Sequence, residues 1–473
     1  MILDARIQSV PLDRGATVVV VGAGPAGLTL ARELAPVTDV LVLEGGGLES
    51  EGDAARFLEG ECIGLDYPLT ETRARQFGGS SDLWAGYCAV FDDHDFERRD
   101  WVEYSGWPIG LDDLKPYFPA AAAILNLGEF DFDARQIATR AQIAFPIDDD
   151  RIVPTVWRFG TPTQRFGTRL RPFVEASREI TTLVHACVVG IESSAEDDAA
   201  GYLLVRTHNG REGRITADLI VLACGGLETP RLLLNSSARS HAGIGIANAN
   251  VGRYFMEHPH REIATLQLRN AAPFEGWATR RRYADGREFA FCAGLTADVQ
   301  RQARILNARA HVYRTPEMSD DELPRVGIFM EQAPNPDSRV LLAESRDPLG
   351  MRRLRLDWRL TDLDWRTYQK TAEEITEAFV RAGAGHPSGP VETNTQDRVR
   401  LLHSNHHLGT TRMSSSPADG VVDADCRVHG VDNLYIVGGS VFPTVSWANP
   451  TFTVMALTLR LATHLRARLE GAA

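Results

Sequence analysis

Lysine is almost missing from this chain: of 50 basic residues only Lys115 and Lys370 are lysine and the rest are arginine. Against 63 acidic residues the formal charge is −13. That sign repels phosphate backbones and anionic headgroups, so neither nucleic acid nor a membrane surface is an expected partner. Cysteine is sparse as well. Cys62, Cys88, Cys187, Cys224, Cys292 and Cys426 lie far apart with no C-x-x-C pair. They fit neither a zinc site nor a disulfide framework, so no metal is expected and the thiols read as buried groups in a reducing cytoplasm. Asp4, Arg6, Asp13 and Arg14 precede any apolar run, so no secretory leader is expected. The long uncharged stretch from Asn433 to Leu459 is broken by Gly438, Gly439, Pro443, Asn449 and Pro450. It reads as a buried strand, a loop and a helix rather than a membrane span.

What the chain does have is glycine placed directly after apolar β-branched runs. Thr17–Val21 leads into Gly22-Ala23-Gly24-Pro25-Ala26-Gly27, a helix follows with Leu28, Leu30, Ala31 and Leu34, and Val40–Leu43 ends in Glu44. This is a βαβ unit whose strands are buried on both faces. The grammar returns at Asp218–Cys224 before Gly225 and Gly226, and at Leu434–Val437 before Gly438 and Gly439, with a last helix predicted from Pro450 to about Leu469. Between these units, residues 51–180 read as irregular excursions, and Val184–Val205 as strand-like segments. Six short strands are predicted at Ile263–Leu268, Phe289–Leu295, Ala308–Tyr313, Val326–Glu331, Arg339–Leu342 and Leu354–Trp358, forming a mostly antiparallel sheet, with a helix over Leu363–Ala382. At 473 residues the chain exceeds one compact core. The fold class expected is α/β, with one Rossmann-like cofactor domain assembled from distant segments and a second domain built on the antiparallel sheet.

Gly22 permits a tight turn, Gly24 lets the backbone approach a pyrophosphate and Gly27 lets helix and strand pack closely. The helix N-terminus offers amides and positive potential to phosphate, and Glu44 stands where a carboxylate meets ribose hydroxyls. Whether the dinucleotide is FAD or NAD, this unit alone leaves open. A second glycine-rich stretch, Gln76 to Gly86, holds Gly78, Gly79, Ser80, Ser81 and Trp84; it is either an ordinary loop or a set of donors for phosphate or an isoalloxazine edge. Near the C-terminus stand His403, His406-His407-Leu408-Gly409-Thr410-Thr411 and Trp447-Ala448-Asn449-Pro450-Thr451. A histidine and an asparagine could converge on one hydroxyl, the imidazole taking its proton and the amide donating to the oxygen; by spacing alone a structural histidine is the commoner case.

Taken together, these motifs resemble the glucose-methanol-choline (GMC) family of FAD-dependent oxidoreductases. The resemblance runs nearly end to end: Gly22 to Gly27 with Glu44, Gly78-Gly79-Ser80-Ser81, Ala223-Cys224-Gly225-Gly226-Leu227-Glu228, Val251-Gly252-Arg253 with His258-Pro259, Pro334 to Arg339, His406 to Met413, and Gly438-Gly439-Ser440 through Asn449-Pro450-Thr451. It implies an FAD domain made of residues 1–60, 181–260 and 400–473, and a substrate domain made of 61–180 and 261–399. It implies FAD contacts at Gly22, Gly24, Gly27, Glu44, Gly78, Gly79, Ser80, Ser81, Trp84, Val188, Ala223, Cys224, Gly438, Gly439, Asn449 and Thr451. His406 is implied as the catalytic base and Asn449 as its partner, the arrangement of a pyranose-oxidase-like, aminoglycoside-oxidising bacterial branch. Leu83 stands where covalently flavinylated members carry histidine, which implies non-covalent FAD; Gly438 replaces a frequent aspartate, leaving backbone amides in its place.

The implied activity is oxidation of an alcohol to an aldehyde or ketone, with hydride passing to flavin N5 and oxygen or another acceptor reoxidising the flavin. The implied substrate is a small-molecule sugar or aminosugar hydroxyl in the cytoplasm. A lipid, terpene or other secondary alcohol, or redox-neutral lyase chemistry on the same scaffold, is the alternative. An NAD-dependent dehydrogenase would use only the N-terminal unit and leave the C-terminal motifs without a role.

Overall fold

The computed structural model describes residues 1–145, 147, 149–194, 199–237, 248–269, 277, 280–283, 286–313, 322–391 and 402–471. Its first sheet begins where the β-branched runs do. Arg14–Val21 lies between Val40–Leu43 and Glu212–Leu222, parallel to both, with Val18↔Val40 and Val18↔Leu219 in register. Ile180–Val184 and then Ile2–Asp4 extend the parallel sheet beyond Val40–Leu43. Leu434–Ile436 pairs parallel with Ile220–Leu222. On the far side Ala200–Arg206 and Cys187–Ser193 add an antiparallel hairpin, giving eight strands. Val18, Val19, Val20 and Val42 are fully enclosed, as strands covered on both faces must be. The helices Pro25–Leu34 and Gly225–Ser237 each start at a glycine turn, and Thr451–Gly471 starts after the loop that follows Gly438 and Gly439. Three chain segments therefore converge on the carboxyl ends of neighbouring parallel strands, where α/β sheets bind ligands.

The second sheet is antiparallel and also has eight strands: Gly385–Pro387, His260–Leu268, Arg325–Met330, Ala308–Tyr313, Glu288–Leu295, Ile152–Phe159 and Tyr87–Cys88 in order, with Arg281–Arg282 on Glu288–Leu295. Helix Asp362–Arg381 packs its Tyr368, Ala372, Ile375 and Phe379 face against it.

Three expectations are corrected. Two of the six short strands do not join this sheet: Arg339–Arg346 and Arg352–Asp357 form a separate three-stranded sheet with Gly60–Cys62. The segment 51–180 is not all excursion, because it supplies Ile152–Phe159 and Tyr87–Cys88 to the second sheet and the helix Phe166–Ala176 to the side of the first. Pro154 hides that strand in the sequence, since proline cannot donate to a ladder. In the structure Tyr87–Cys88 pairs only with Phe159 and Arg158, so Pro154 has a partner strand on one side alone. The C-terminal helix starts at Thr451, one residue after Pro450. The implied domain boundary at 399/400 lies outside the described residues. Among the described residues no helix is long and apolar enough to cross a membrane.

Candidate active site

One cavity of about 680 Å³ runs along the carboxyl ends of the first sheet and on to the face of the second. At one end the first βα turn shapes it. Gly22 has φ +104° and a Cβ there would stand 2.6 Å from the Ala223 carbonyl; a Cβ on Gly27 would stand 2.0 Å from the Gly22 carbonyl. Gly24 differs: nothing lies within 4 Å of its missing Cβ, and it lines the cavity at the helix N-terminus. An open approach to free helical amides, where a side chain is absent, suits a pyrophosphate. Glu44 is buried beside it, Oε2 accepting the Ala23 amide (2.9 Å) and Oε1 the Gly46 amide (2.8 Å). Burial pushes its pKa up, and those amides pull it back down.

Gly79, Ser80, Ser81, Trp84, Val188, Ala223, Cys224, Gly438, Gly439, Asn449 and Thr451 also line the cavity. Gly27 and Gly78 do not: the first packs helix on strand as expected, and the second, with φ +97°, packs against Gly167. The Ser81 hydroxyl is held inside the loop, donating to the Gly78 carbonyl (2.7 Å) and accepting the Phe166 amide (3.1 Å). The donors present thus fit a dinucleotide along Gly24, Glu44 and the three glycine turns.

At the other end stands His406. Two antiparallel bridges tie its segment down, Met256↔Leu408 and His260↔Leu402. Between them the chain bulges, with Asn405 at φ +63°, and three successive amides would be left without partners. The buried Glu257 carboxylate takes all three: Ser404 (2.5 Å) and Asn405 (2.9 Å) on Oε2, His406 (2.8 Å) on Oε1, with the His258 amide (2.9 Å) also on Oε1. Burial pushes the Glu257 pKa up to about 8 while the four amides oppose it. With both oxygens receiving N–H donors, the geometry calls for the anion.

The adjoining His258 settles which nitrogen of His406 is basic. His258 Nε2 faces the carbonyls of Val445 and Ser446, both at 3.0 Å, which can only accept, so Nε2 carries the proton. Its Nδ1 is then an acceptor and receives His406 Nδ1–H at 2.7 Å. His406 Nε2 is left as an acceptor, facing the Asn449 Nδ2 amide at 3.5 Å. Ser446, itself at φ +56°, is pinned by its hydroxyl to Asp95 Oδ2 (2.6 Å). Asp95, Ser446 and His258 therefore fix the tautomer of His406 from behind. Glu257, His258 and His406 bring ligand-type atoms within 4.8 Å of one another. Because the carboxylate and both Nδ1 atoms are engaged in these hydrogen bonds, the group presents one basic nitrogen rather than three converging metal ligands.

Burial lowers the pKa of His406 well below its ordinary value, that of His258, His260 and His311 to about 4, and that of His407 to about 3. The unfolded chain takes up protons on these rings near pH 6.5 and the folded chain does not, so stability is present above that pH and is lost as pH falls toward 4. At roughly 1.4 kcal/mol per unit for each ring, we expect the melting temperature to drop by many degrees between pH 7 and pH 5 in thermal scans. An unchanged midpoint would show the rings free to protonate in the folded protein.

The structure places His406 and Asn449 3.5 Å apart, and beside them residues to which the sequence assigned nothing, Glu257, Asp95, Tyr87, Trp157, His260 and His311, of which Tyr87, Trp157, His260 and His311 line the cavity. His258-Pro259 was the visible signal, a buried histidine just before a strand.

Two models of the family described as GMC oxidoreductase match the chain, its N-terminal part over residues 157–260 and its C-terminal part over 334–458. Similar proteins include 2-methyl-1,2-propanediol dehydrogenase of Mycolicibacterium austroafricanum, 25% identical and covering 86% of this chain and 84% of its own length. Another is 6'''-hydroxyparomomycin C oxidase of Streptomyces lividus, 26% identical over 96% and 93% respectively. The solved structure of formate oxidase shares the fold at a TM-score of 0.65 and 17% identity, over 97% of this chain and 99% of that one. With both family models matched and the likeness extending over almost the whole chain, the protein belongs to the GMC oxidoreductase family.

Proposed function

We propose that this enzyme oxidises the hydroxyl of a sugar or aminosugar to a carbonyl, using non-covalently held FAD, with His406 as base and Asn449 as its partner. GMC oxidoreductases bind FAD. The observation that carries the reading is the continuity of the cavity: Gly24 and Glu44, which would meet phosphate and ribose, and His406 line one space. Leu83 lines that space next to Trp84, and its side chain offers no atom for a covalent link to a flavin, which supports a dissociable cofactor. When bound, FAD supplies the acceptor for the hydride of the carbinol carbon.

The chain's own residues do the rest. An oxygen placed between His406 Nε2 and Asn449 Nδ2, which are 3.5 Å apart, reaches both at hydrogen-bond distance. His406 takes the hydroxyl proton on Nε2, and the Nδ1–H bond to His258 holds the ring in the tautomer that can do so. Asn449 donates to the oxygen as its charge grows. The relatives named for oxidising a hydroxyparomomycin and an alkanediol support a hydroxyl on a polar, oxygen-rich molecule.

Acid precipitation of the purified protein should release FAD into the supernatant, and incubation with a substrate alcohol should yield a product lighter by one hydrogen molecule's mass. A flavin that stays with the pellet would overturn non-covalent binding. A product of unchanged oxidation level would point to lyase chemistry.

A further inference from the structure

His406 and His258 are joined through their Nδ1 atoms at 2.7 Å, and the two rings stand in unlike surroundings. His406 lines the cavity. His258 lies fully buried behind it, its Nε2–H closed off by the carbonyls of Val445 and Ser446, both at 3.0 Å. Among the described residues, the His406 ring is the one hydrogen-bond partner of His258 Nδ1.

The surroundings of His258 suit a positive charge better than those of His406. An imidazole with a proton on each nitrogen is a donor at both. At His258 one such donor meets two carbonyls and the other meets the His406 nitrogen, so neither is left without a partner. Phe329 stacks on the His258 ring, centroids 5.1 Å apart and planes at 15°, and so offers its π-face to a cation there; it meets His406 at 6.2 Å with planes at 77°. The Glu257 carboxylate has ligand-type atoms within 4.8 Å of those of both rings, which favours a cation on either without choosing between them. Burial is the largest influence on both and lowers both, His258 to about 4 and His406 well below its ordinary value. What differs is the rest. The two carbonyls and the Glu331 carboxylate oppose burial at His258, whereas the neighbouring His258, His407 and His260 push His406 further down.

We propose, on the alcohol-oxidation reading above, that the proton taken from the substrate passes through the His406 ring to His258, which keeps it inside the protein. The substrate O–H bond breaks as an N–H bond forms at His406 Nε2, and the His406 Nδ1–H bond breaks as an N–H bond forms at His258 Nδ1. One proton enters the pair, and the hydride of the carbinol carbon leaves separately to the flavin. His258 ends as an imidazolium, and His406 ends neutral with its Nε2–H toward the product oxygen. Because carbonyls seal His258 Nε2, the proton leaves only by the way it came. His258 is thus a positioning residue that acts through His406. The opposing force is the attraction of negative charge on the substrate oxygen, which would hold the proton on His406.

FAD-loaded enzyme with 15N-labelled histidine is measured by NMR at about pH 7, where histidines outside the pair titrate little further, first oxidised and then reduced anaerobically by an alcohol that bleaches the flavin. Among the described residues no other two imidazoles share a hydrogen bond, so the pair is recognised by scalar coupling across its N–H···N bond, and in the oxidised protein the ring with an unprotonated Nε2 is His406. After reduction His258 is expected to carry protons on both nitrogens and His406 on Nε2 alone. Two protons on His406 with His258 unchanged would overturn the relay, as would a pair that has gained no proton. His258→Asn supplies the kinetic counterpart: its Oδ1 can accept the His406 Nδ1–H and keep the tautomer, but an amide takes no proton. Anaerobic flavin reduction in that variant is expected to be about a hundredfold slower, the lower end of what a placed proton-transfer group contributes, with FAD content unchanged; reduction at the wild-type rate would show that His258 only orients His406. If no alcohol bleaches a fully loaded flavin, the alcohol-oxidation reading itself falls, and the relay with it.

Discussion

Replacing His406 with alanine should slow anaerobic flavin reduction by an alcohol about a thousandfold, within the range that a positioned general base contributes, while FAD content stays the same. The separation of effects follows from position. His406 meets the substrate end of the cavity, and the turns at Gly22–Gly27 and Gly225–Gly226 that would hold the dinucleotide are built by other segments. The variant also loses the Nδ1–H that His258 accepts, which leaves one buried acceptor unsatisfied, so a melting temperature a few degrees lower is expected alongside the rate loss. Because the His406 pKa is pushed well below its ordinary value by burial, the wild-type reduction rate should be flat from neutral pH down past pH 6.5 and fall only in more acid solution, as the ring finally takes a proton. Stopped-flow absorbance over that pH range measures both effects. Reduction by His406→Ala at the wild-type rate would remove His406 from the chemistry.

Gly27→Ala should produce a protein without cofactor and with reduced stability. The added methyl would sit 2.0 Å from the Gly22 carbonyl and 3.2 Å from a methyl of Val20, and a backbone carbonyl cannot rotate aside as a long side chain can. The helix Pro25–Leu34 would have to move off the strand. Overpacking of this kind costs about 1–3 kcal/mol or more, and the shift would also carry away the amides meant for the phosphates. Gly24→Ala is the informative companion. Its methyl meets nothing within 4 Å and points into the cavity, so that variant should fold as the wild-type apoprotein does and still fail to retain FAD. Melting curves read against flavin absorbance of the two purified variants distinguish them. A Gly27→Ala protein that is as stable and as yellow as the wild type would show that the turn tolerates what its geometry excludes.

The parallel sheet was legible because its signals are local. Thr17–Val21 and Val40–Leu43 are unbroken apolar runs, and each glycine that the turn needs stands within a few residues of the strand it follows. His406 and Asn449 were legible as a pair only through the resemblance to a family, since 43 residues separate them and no periodicity joins them. The supports behind them were not legible. Glu257 reaches amides 147 to 149 positions away, and its role appears only once two bridges bring that distant segment alongside and force a bulge. Trp157 was hidden for a different reason: Pro154 and the buried Arg158, which donates to the carbonyls of Leu127 and Asp131 (2.5 and 2.6 Å), break the pattern of the strand that presents it. Long-range pairing, rather than propensity, decides which residues face His406.

On the proposed function, a dinucleotide grip and the His406–Asn449 pair serve a single reaction in one cavity. The most direct test is anaerobic titration of the purified, FAD-loaded protein with sugars, glycosides and simple diols while following the flavin band at about 450 nm. At least one alcohol is expected to bleach the band completely, with one carbonyl product formed per flavin. A flavin that stays oxidised with every alcohol, in a protein that carries the cofactor in full, would contradict it.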